Sequence, residues 1–231
     1  MISLADSGRW FALLFAGALV AFWPSYLSRV SALNAYTHFH ALTAALWMLL
    51  LVAQPIAIRT RKLALHRALG NGSYALAPLV AAAMLLLAHD RIRGLDDGRF
   101  LEQSYTLYLQ LSLAALWALC YGLAIAFRRT TALHSRFMVC TGLTLLDPVL
   151  IRFVIWANPS VTWNFQWLTF GITDLVLLAL IVLERRAPTG RGVFPAMLAV
   201  FAILQAPALL GLWKSAPWQD FARWYAALPL T

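Results

Sequence analysis

Apolar residues run along this chain in long blocks separated by short polar joints. Seven blocks occupy about residues 9–27, 36–58, 67–88, 104–127, 136–157, 164–184 and 193–213. Inside them apolar and polar positions do not alternate, as in LVAAAMLLLA at residues 79–88. A strand of a membrane barrel would alternate. About 20 apolar residues carry a helix across hydrocarbon, where every backbone group must be satisfied within its own segment. The pattern therefore predicts an all-α fold: one polytopic membrane helical bundle of seven transmembrane helices, with residues 1–231 as a single domain. Pro24, Pro55, Pro78, Pro148 and Pro207 fall within or at the edges of blocks and predict kinks, since each removes a backbone donor.

Charge sets the expected orientation. The joints after blocks 2, 4 and 6 hold Arg59, Arg61, Lys62, Arg67, Arg128, Arg129, Arg136, Arg185, Arg186 and Arg191, which with Arg9 makes eleven basic residues on one side. The other side has six: Arg29, Arg91, Arg93, Arg99, Lys214 and Arg223. The positive-inside rule then predicts a cytoplasmic N-terminus and an outer C-terminus, in a bacterial inner membrane. Trp156, Trp163, Trp167, Trp213, Trp218 and Trp224 fall near the outer block ends, as an aromatic belt would.

Composition agrees. The chain is 62% hydrophobic and 12% charged, about half the charge of a soluble domain. Its net charge of +9 would suggest nucleic acid in a soluble protein. Here the charge sits in the joints, beside anionic headgroups, so lipid is the expected partner and nucleic acid is not. Cys120 and Cys140 lie inside blocks without metal spacing and read as free packing thiols. The first block has no A-x-A cleavage site and reads as a retained helix.

Two stretches echo each other: RKLALHRALG at 61–70 and RTTALHSRFM at 129–138. Each places Ala-Leu-His behind basic residues at the start of an odd-numbered block. The text before them matches too, so the helix pair 2–3 is a candidate internal repeat of pair 4–5. His66 and His134 would then lie at equal depth on parallel helices. Two such imidazoles can bind one haem iron axially, with Arg67 and Arg136 beside the haem carboxylates and Gly70 and Gly142 leaving room for the ring. A histidine at a helix start can equally be an interfacial residue without a ligand.

His38 and His40 begin the second block, about 200° apart on a helix, and cannot both face one metal. His89 ends the third block on the same side, and HDRIRGLDDGR reads as a solvated loop. These three are the candidates for an outer metal. Tyr36, Tyr105, Tyr108 and Asn164 complete an outer cluster with His38 and His40 that would receive a small substrate. Asp147, about 16 Å into the fifth block by helical rise, Asp174 in the sixth and Gln205 in the seventh are intramembrane polar groups, functional candidates by default. Arg152 follows Asp147 by a turn and a half, and is expected to snorkel or pair with an acid. HExxH, GxSxG and Gly-rich phosphate loops are absent, and no lysine lies mid-block to hold retinal.

HFHALTAALWMLLLVAQPIAIRTRKLALHRALGNGSY, from His38 to Tyr74, resembles a widespread group of predicted bacterial membrane proteins of unknown function. In that group a histidine-bearing helix, a basic loop and an H-R-x-L-G stretch recur. The likeness covers about residues 36–88 and, more loosely, 104–157. The layout also resembles the ascorbate-linked transmembrane cytochromes b, whose helices 3 and 5 hold one haem and helices 2 and 4 another. His66 and His134 match the first pair. The fourth block has no histidine, only Tyr105 and Tyr108 at its outer end. The resemblance implies haem b and electron transfer to or from a quinone, a redox partner or a small substrate. The residues themselves leave three further readings open: a proton-coupled carrier using Asp147 and Asp174, a metal-dependent membrane enzyme using His38, His40 and His89, and a non-catalytic subunit of a larger complex.

Overall fold

The computed structural model describes residues 7–157 and 165–231. The described residues are helical almost throughout and contain no strand. In order they form α1 (Ser7–Ala21), a 3-10 segment (Leu27–Ala32), α2 (Ala35–Arg59), α3 (Leu63–Ile92), α4 (Asp97–Ala126), α5 (Thr131–Leu143), α6 (Leu146–Ala157), α7 (Gln166–Glu184), α8 (Val193–Leu209), a 3-10 turn (Leu212–Lys214) and α9 (Ala216–Ala226). Five spans are long and apolar enough to cross a membrane: α2, α3, α4, the α5–α6 unit and α7. The apolar helices α1 and α8 are shorter, at 15 and 17 residues.

Local sequence explains the boundaries. Asn34 caps α2 by accepting from the Thr37 N–H at 3.0 Å, and Asp96 caps α4 by accepting from the Arg99 N–H at 3.1 Å. Such caps satisfy donors that the first turn leaves free. Pro55, Pro78 and Pro207 lie inside continuous helices. Pro148 coincides with a break between α5 and α6, and Pro24 with the turn after α1. The Pro148 ring crowds the carbonyl four residues back, and its missing N–H is harmless only in a helix's first turn.

Three further expectations change. Helices α3 and α4 each run 30 residues, reducing the expected solvated loop to Arg93–Asp96. The fifth block is two helices. An additional helix, α9, lies across the ends of α3 and α4. Ala222 and Tyr225 pack there on Ala88, Ile92, Phe100 and Leu107, and the Tyr225 hydroxyl donates to the Leu85 carbonyl at 2.7 Å. The spacing of Trp218, Phe221 and Tyr225 marks its apolar face in the sequence.

The interior has two main halves. Leu116, Cys120, Phe137, Cys140, Leu177, Phe194, Met197 and Phe201 join α4, α5, α7 and α8. Phe11, Trp47, Leu51, Ala77, Val80 and Trp117 join α1, α2, α3 and α4. Both cysteines are free and buried. The outside is apolar: Leu210, Ile203 and Leu175 are 71%, 69% and 65% exposed. Broad exposed aliphatic surface on long helices is what a hydrocarbon solvent requires.

Candidate functional site

The break between α5 and α6 places polar groups inside an apolar bundle. The chain turns at Thr144 and Leu145, and the Thr144 hydroxyl donates to the Thr141 carbonyl at 2.7 Å. Asp147 follows in the first turn of α6, where unpaired N–H groups and the helix dipole favour a carboxylate. Gln166, at the start of α7, donates from Nε2 to Asp147 Oδ1 at 2.6 Å and to Thr169 Oγ1 at 3.0 Å. One turn further along α7, the Thr173 hydroxyl donates to the Thr169 carbonyl at 3.0 Å. Asp174 then accepts at Oδ1 from Gln205 Nε2 of α8, at 3.2 Å.

Both acids are thus held by neutral amides. Among the described residues neither has a basic group within ion-pair distance. Beside Asp147 lies a cavity of about 40 Å³, lined by Asp147, Thr144, Thr173, Gln205 and Ser112 within apolar walls from α4, α5, α7 and α8. A space of this size, with these few polar groups on a mostly apolar wall, has room for water. Gln166, Thr169 and Thr173 were not singled out from the sequence. Their spacing in QWLTFGIT forms a polar stripe on an apolar helix, which is the signal that was there to be read.

His66 and His134 are both partly buried. Each bonds back to the helix before it. His134 Nδ1 meets the Ala124 carbonyl at 2.8 Å, so Nδ1 carries the proton and Nε2 keeps a lone pair. Gln54, oriented so that its oxygen accepts from the Gly70 N–H at 2.9 Å, donates to His66 Nδ1. That assignment puts the proton of a neutral His66 on Nε2.

The surroundings differ from the haem expectation in two respects. The room beside Gly142 is filled by the Phe11 ring, since a Cβ on Gly142 would fall 2.2 Å from Phe11 Cε1. Arg136 is not available to a haem carboxylate: it is buried, and its Nε donates to Glu184 Oε2 at 2.5 Å while Nη1 donates to the Ala132 carbonyl at 2.6 Å. Arg67 is exposed.

The outer histidines do not converge. The Tyr26 hydroxyl and His38 Nδ1 lie 3.0 Å apart. His40 Nδ1 is buried with no hydrogen-bond partner. His89, expected in a solvated loop, is 1% exposed: its ring packs on Tyr225 and its Nδ1 lies 2.7 Å from Thr231 Oγ1. Helix α9 and the segment after it cover His89, a tertiary effect invisible in its neighbours. Among the described residues no three His, Cys, Asp or Glu side chains group to hold a metal, so the three-histidine site is not formed.

The outer substrate cluster is also divided. The Tyr108 hydroxyl donates to the Leu204 carbonyl at 2.8 Å, and Tyr105 packs on Trp213, away from the α2 histidines. Asn164 and Trp163 lie outside the described residues. Arg152 does not snorkel free; its guanidinium stacks 4.0 Å over the Phe22 ring. No family model, curated protein or solved structure matches this chain.

Proposed function

We propose that this chain is a seven-span carrier of a bacterial inner membrane, with its N-terminus in the cytoplasm, that couples a proton on Asp147 to passage of a small solute. The observation that carries this reading is the broken α5–α6 span with an amide-tethered acid in its first turn, on the wall of a small internal cavity. Discontinuous helices at mid-membrane are a recurrent way to build a transport site, because the free backbone ends line the path. An acid held by a glutamine is suited to trading its proton. Gaining one removes a charge but leaves Asp147 a hydrogen-bonding partner of the same amide. Asp174, tethered likewise to Gln205, is the second proton group. In the seven-span reading α1 and α8, about 22 and 26 Å long, cross with the help of the turns that follow them.

The test is pH-driven flux in proteoliposomes, read with an internal pH dye. Asp147→Asn keeps the Gln166 contact but cannot ionise, so it should abolish proton movement while leaving the protein folded. Wild-type proton flux from Asp147→Asn would refute the reading.

A second reading, one b-type haem between His66 and His134 serving electron transfer with a quinone or a redox partner, draws on the matched positions of the two histidines at the starts of α3 and α5 and on the Nδ1 bond that orients the His134 ring. Phe11 beside Gly142 and the Arg136–Glu184 pair weigh against it. A reduced-minus-oxidised spectrum of the purified protein decides: a haem band lost in His134→Ala supports this reading, and its absence leaves the carrier.

A further inference from the structure

Ser112 of α4, Thr144 at the end of α5 and Thr173 of α7 stand on the wall of the cavity beside Asp147. In each the hydroxyl hydrogen is already committed along the residue's own segment. Ser112 Oγ donates to the Leu109 carbonyl at 3.1 Å, Thr144 Oγ1 to the Thr141 carbonyl at 2.7 Å and Thr173 Oγ1 to the Thr169 carbonyl at 3.0 Å. A carbonyl only accepts, so the direction of each bond is fixed, and each hydroxyl oxygen keeps lone pairs for another partner. Gln205 of α8, on the same wall, commits Nε2 to Asp174 Oδ1 at 3.2 Å, and Oε1 is its acceptor. The Asp147 carboxylate has about four lone-pair sites, and Gln166 Nε2 takes one of them.

Acceptor oxygens from α4, α5, α6, α7 and α8 thus line one small space. Among the described residues Asp147 is the only charged side chain on its wall, and the rest of the wall is leucine and phenylalanine. A water there finds acceptors for its hydrogens, but no hydroxyl has a hydrogen left for the water's own lone pairs. An ionised Asp147 also has no basic group within ion-pair distance among the described residues, and a buried charge without a partner is costly.

One monovalent cation resolves both. It is bound by acceptors alone, and it balances the single carboxylate. A divalent ion would leave a net positive charge in a low dielectric. No cluster of acids or histidines is needed, because hard cations take carboxylate, amide and hydroxyl oxygens together, and breaks in membrane helices are places where Na+ is held. A proton on Asp147 gives the same neutrality, so ion and proton exclude one another there. The other ionisable groups of the helices packed on α6 do not enter this exchange. Asp174 is held by Gln205, Arg136 by Glu184, His134 by the Ala124 carbonyl, and Arg152 by the Pro148 carbonyl and the Phe22 ring, while Arg9 is exposed at the start of α1.

We infer that this cavity binds one monovalent metal cation, Na+ or K+, through Asp147, Thr144, Thr173, Ser112 and Gln205, in exchange with the proton of Asp147. The carrier's solute is then the cation itself, moving against the proton. That extension rests on the carrier reading, whereas the binding site does not.

The experiment uses the full chain, purified in detergent with choline as the only added cation. NaCl and KCl are titrated separately against choline chloride at constant ionic strength. Binding is read by scintillation proximity with radioactive sodium, or rubidium in place of potassium, and by the rise of the thermal unfolding midpoint. Saturable binding above the choline baseline, weakened tenfold or more by Asp147→Asn and several-fold by Thr144→Val or Thr173→Val, supports the site. Should Asp147→Asn fail to fold, the two valine variants, which keep the side-chain shape and lose only the hydroxyl, carry the test. No saturable binding of either ion, or equal binding to wild type and variants, overturns the inference and leaves the cavity to water. In proteoliposomes an outward gradient of the bound ion should drive protons inward, and an ion that binds yet drives none overturns the exchange. The two proposals fail separately. Cation binding with these dependences, beside wild-type proton flux in Asp147→Asn, removes the carrier and spares the site. Proton flux lost in Asp147→Asn without any cation binding does the reverse.

Discussion

Removing one partner of the Arg136–Glu184 pair should be among the most damaging single changes in this protein. The two side chains are 8% and 10% exposed and meet at 2.5 Å, tying α5 to the end of α7. Solvent screening is therefore small, and the pair does not belong with surface ion pairs worth about 0–1 kcal/mol. Glu184→Ala would strand the guanidinium with only the Ala132 carbonyl as a partner, at an expected cost of about 3–5 kcal/mol. Replacing both residues, as Arg136→Met with Glu184→Leu, removes the stranded charge along with the bond. It should recover most of the loss, or exceed wild type by about 1–4 kcal/mol. Gly190 provides an internal check. Its φ is +77°, and a Cβ there would lie 2.8 Å from Arg136 Nη1 and 2.9 Å from the Ala132 oxygen. Gly190→Ala should be destabilising in wild type, and in the double mutant the cost should shrink only in part, because the Ala132 oxygen stays in place, and should remain above the roughly 1–2 kcal/mol of the left-handed backbone. Reversible unfolding in mixed micelles, followed by near-ultraviolet circular dichroism, measures wild type and the four variants. A Glu184→Ala cost below about 1 kcal/mol, as for a surface pair, or a double mutant no better than the single, would refute the reasoning.

Gly142→Ala should clash with Phe11 and cost about 1–3 kcal/mol by overpacking, largely recovered by Phe11→Leu; thermal melts of the two-by-two set check this. Asp174→Asn should reduce proton flux in liposomes without the complete loss expected of Asp147→Asn, and equal loss in both would make Asp174 an obligatory group. The Arg99 backbone N–H and then its side chain hold the exposed Asp96 carboxyl below its ordinary value. A lowered folded-state value contributes stability that is full above the unfolded value near 3.9 and is lost as pH falls through the folded one. Amide exchange in the first turn of α4 should therefore quicken, relative to the intrinsic rate, as pH falls below about 4, and in Asp96→Ala that acid response should vanish.

The amino-acid order by itself determined the solvent and the class of fold. Long non-alternating apolar blocks leave helices as the backbone's way to satisfy itself, and block length and composition are local properties. It also marked Asp147, Asp174 and Gln205, because a polar residue in such a block is conspicuous wherever the block folds. The break at Pro148 was anticipated only as a kink. Only the tertiary structure decided what each polar group meets. Asp147 found Gln166 and not Arg152, Arg136 found Glu184 forty-eight positions away, and His89 was roofed by α9 and the residues beyond it. The space beside Gly142, empty in one dimension, was filled by a phenyl ring from α1. A residue's type declares what it can bond, whereas its partner depends on which helix faces are pressed together, and that is settled by packing over the whole bundle.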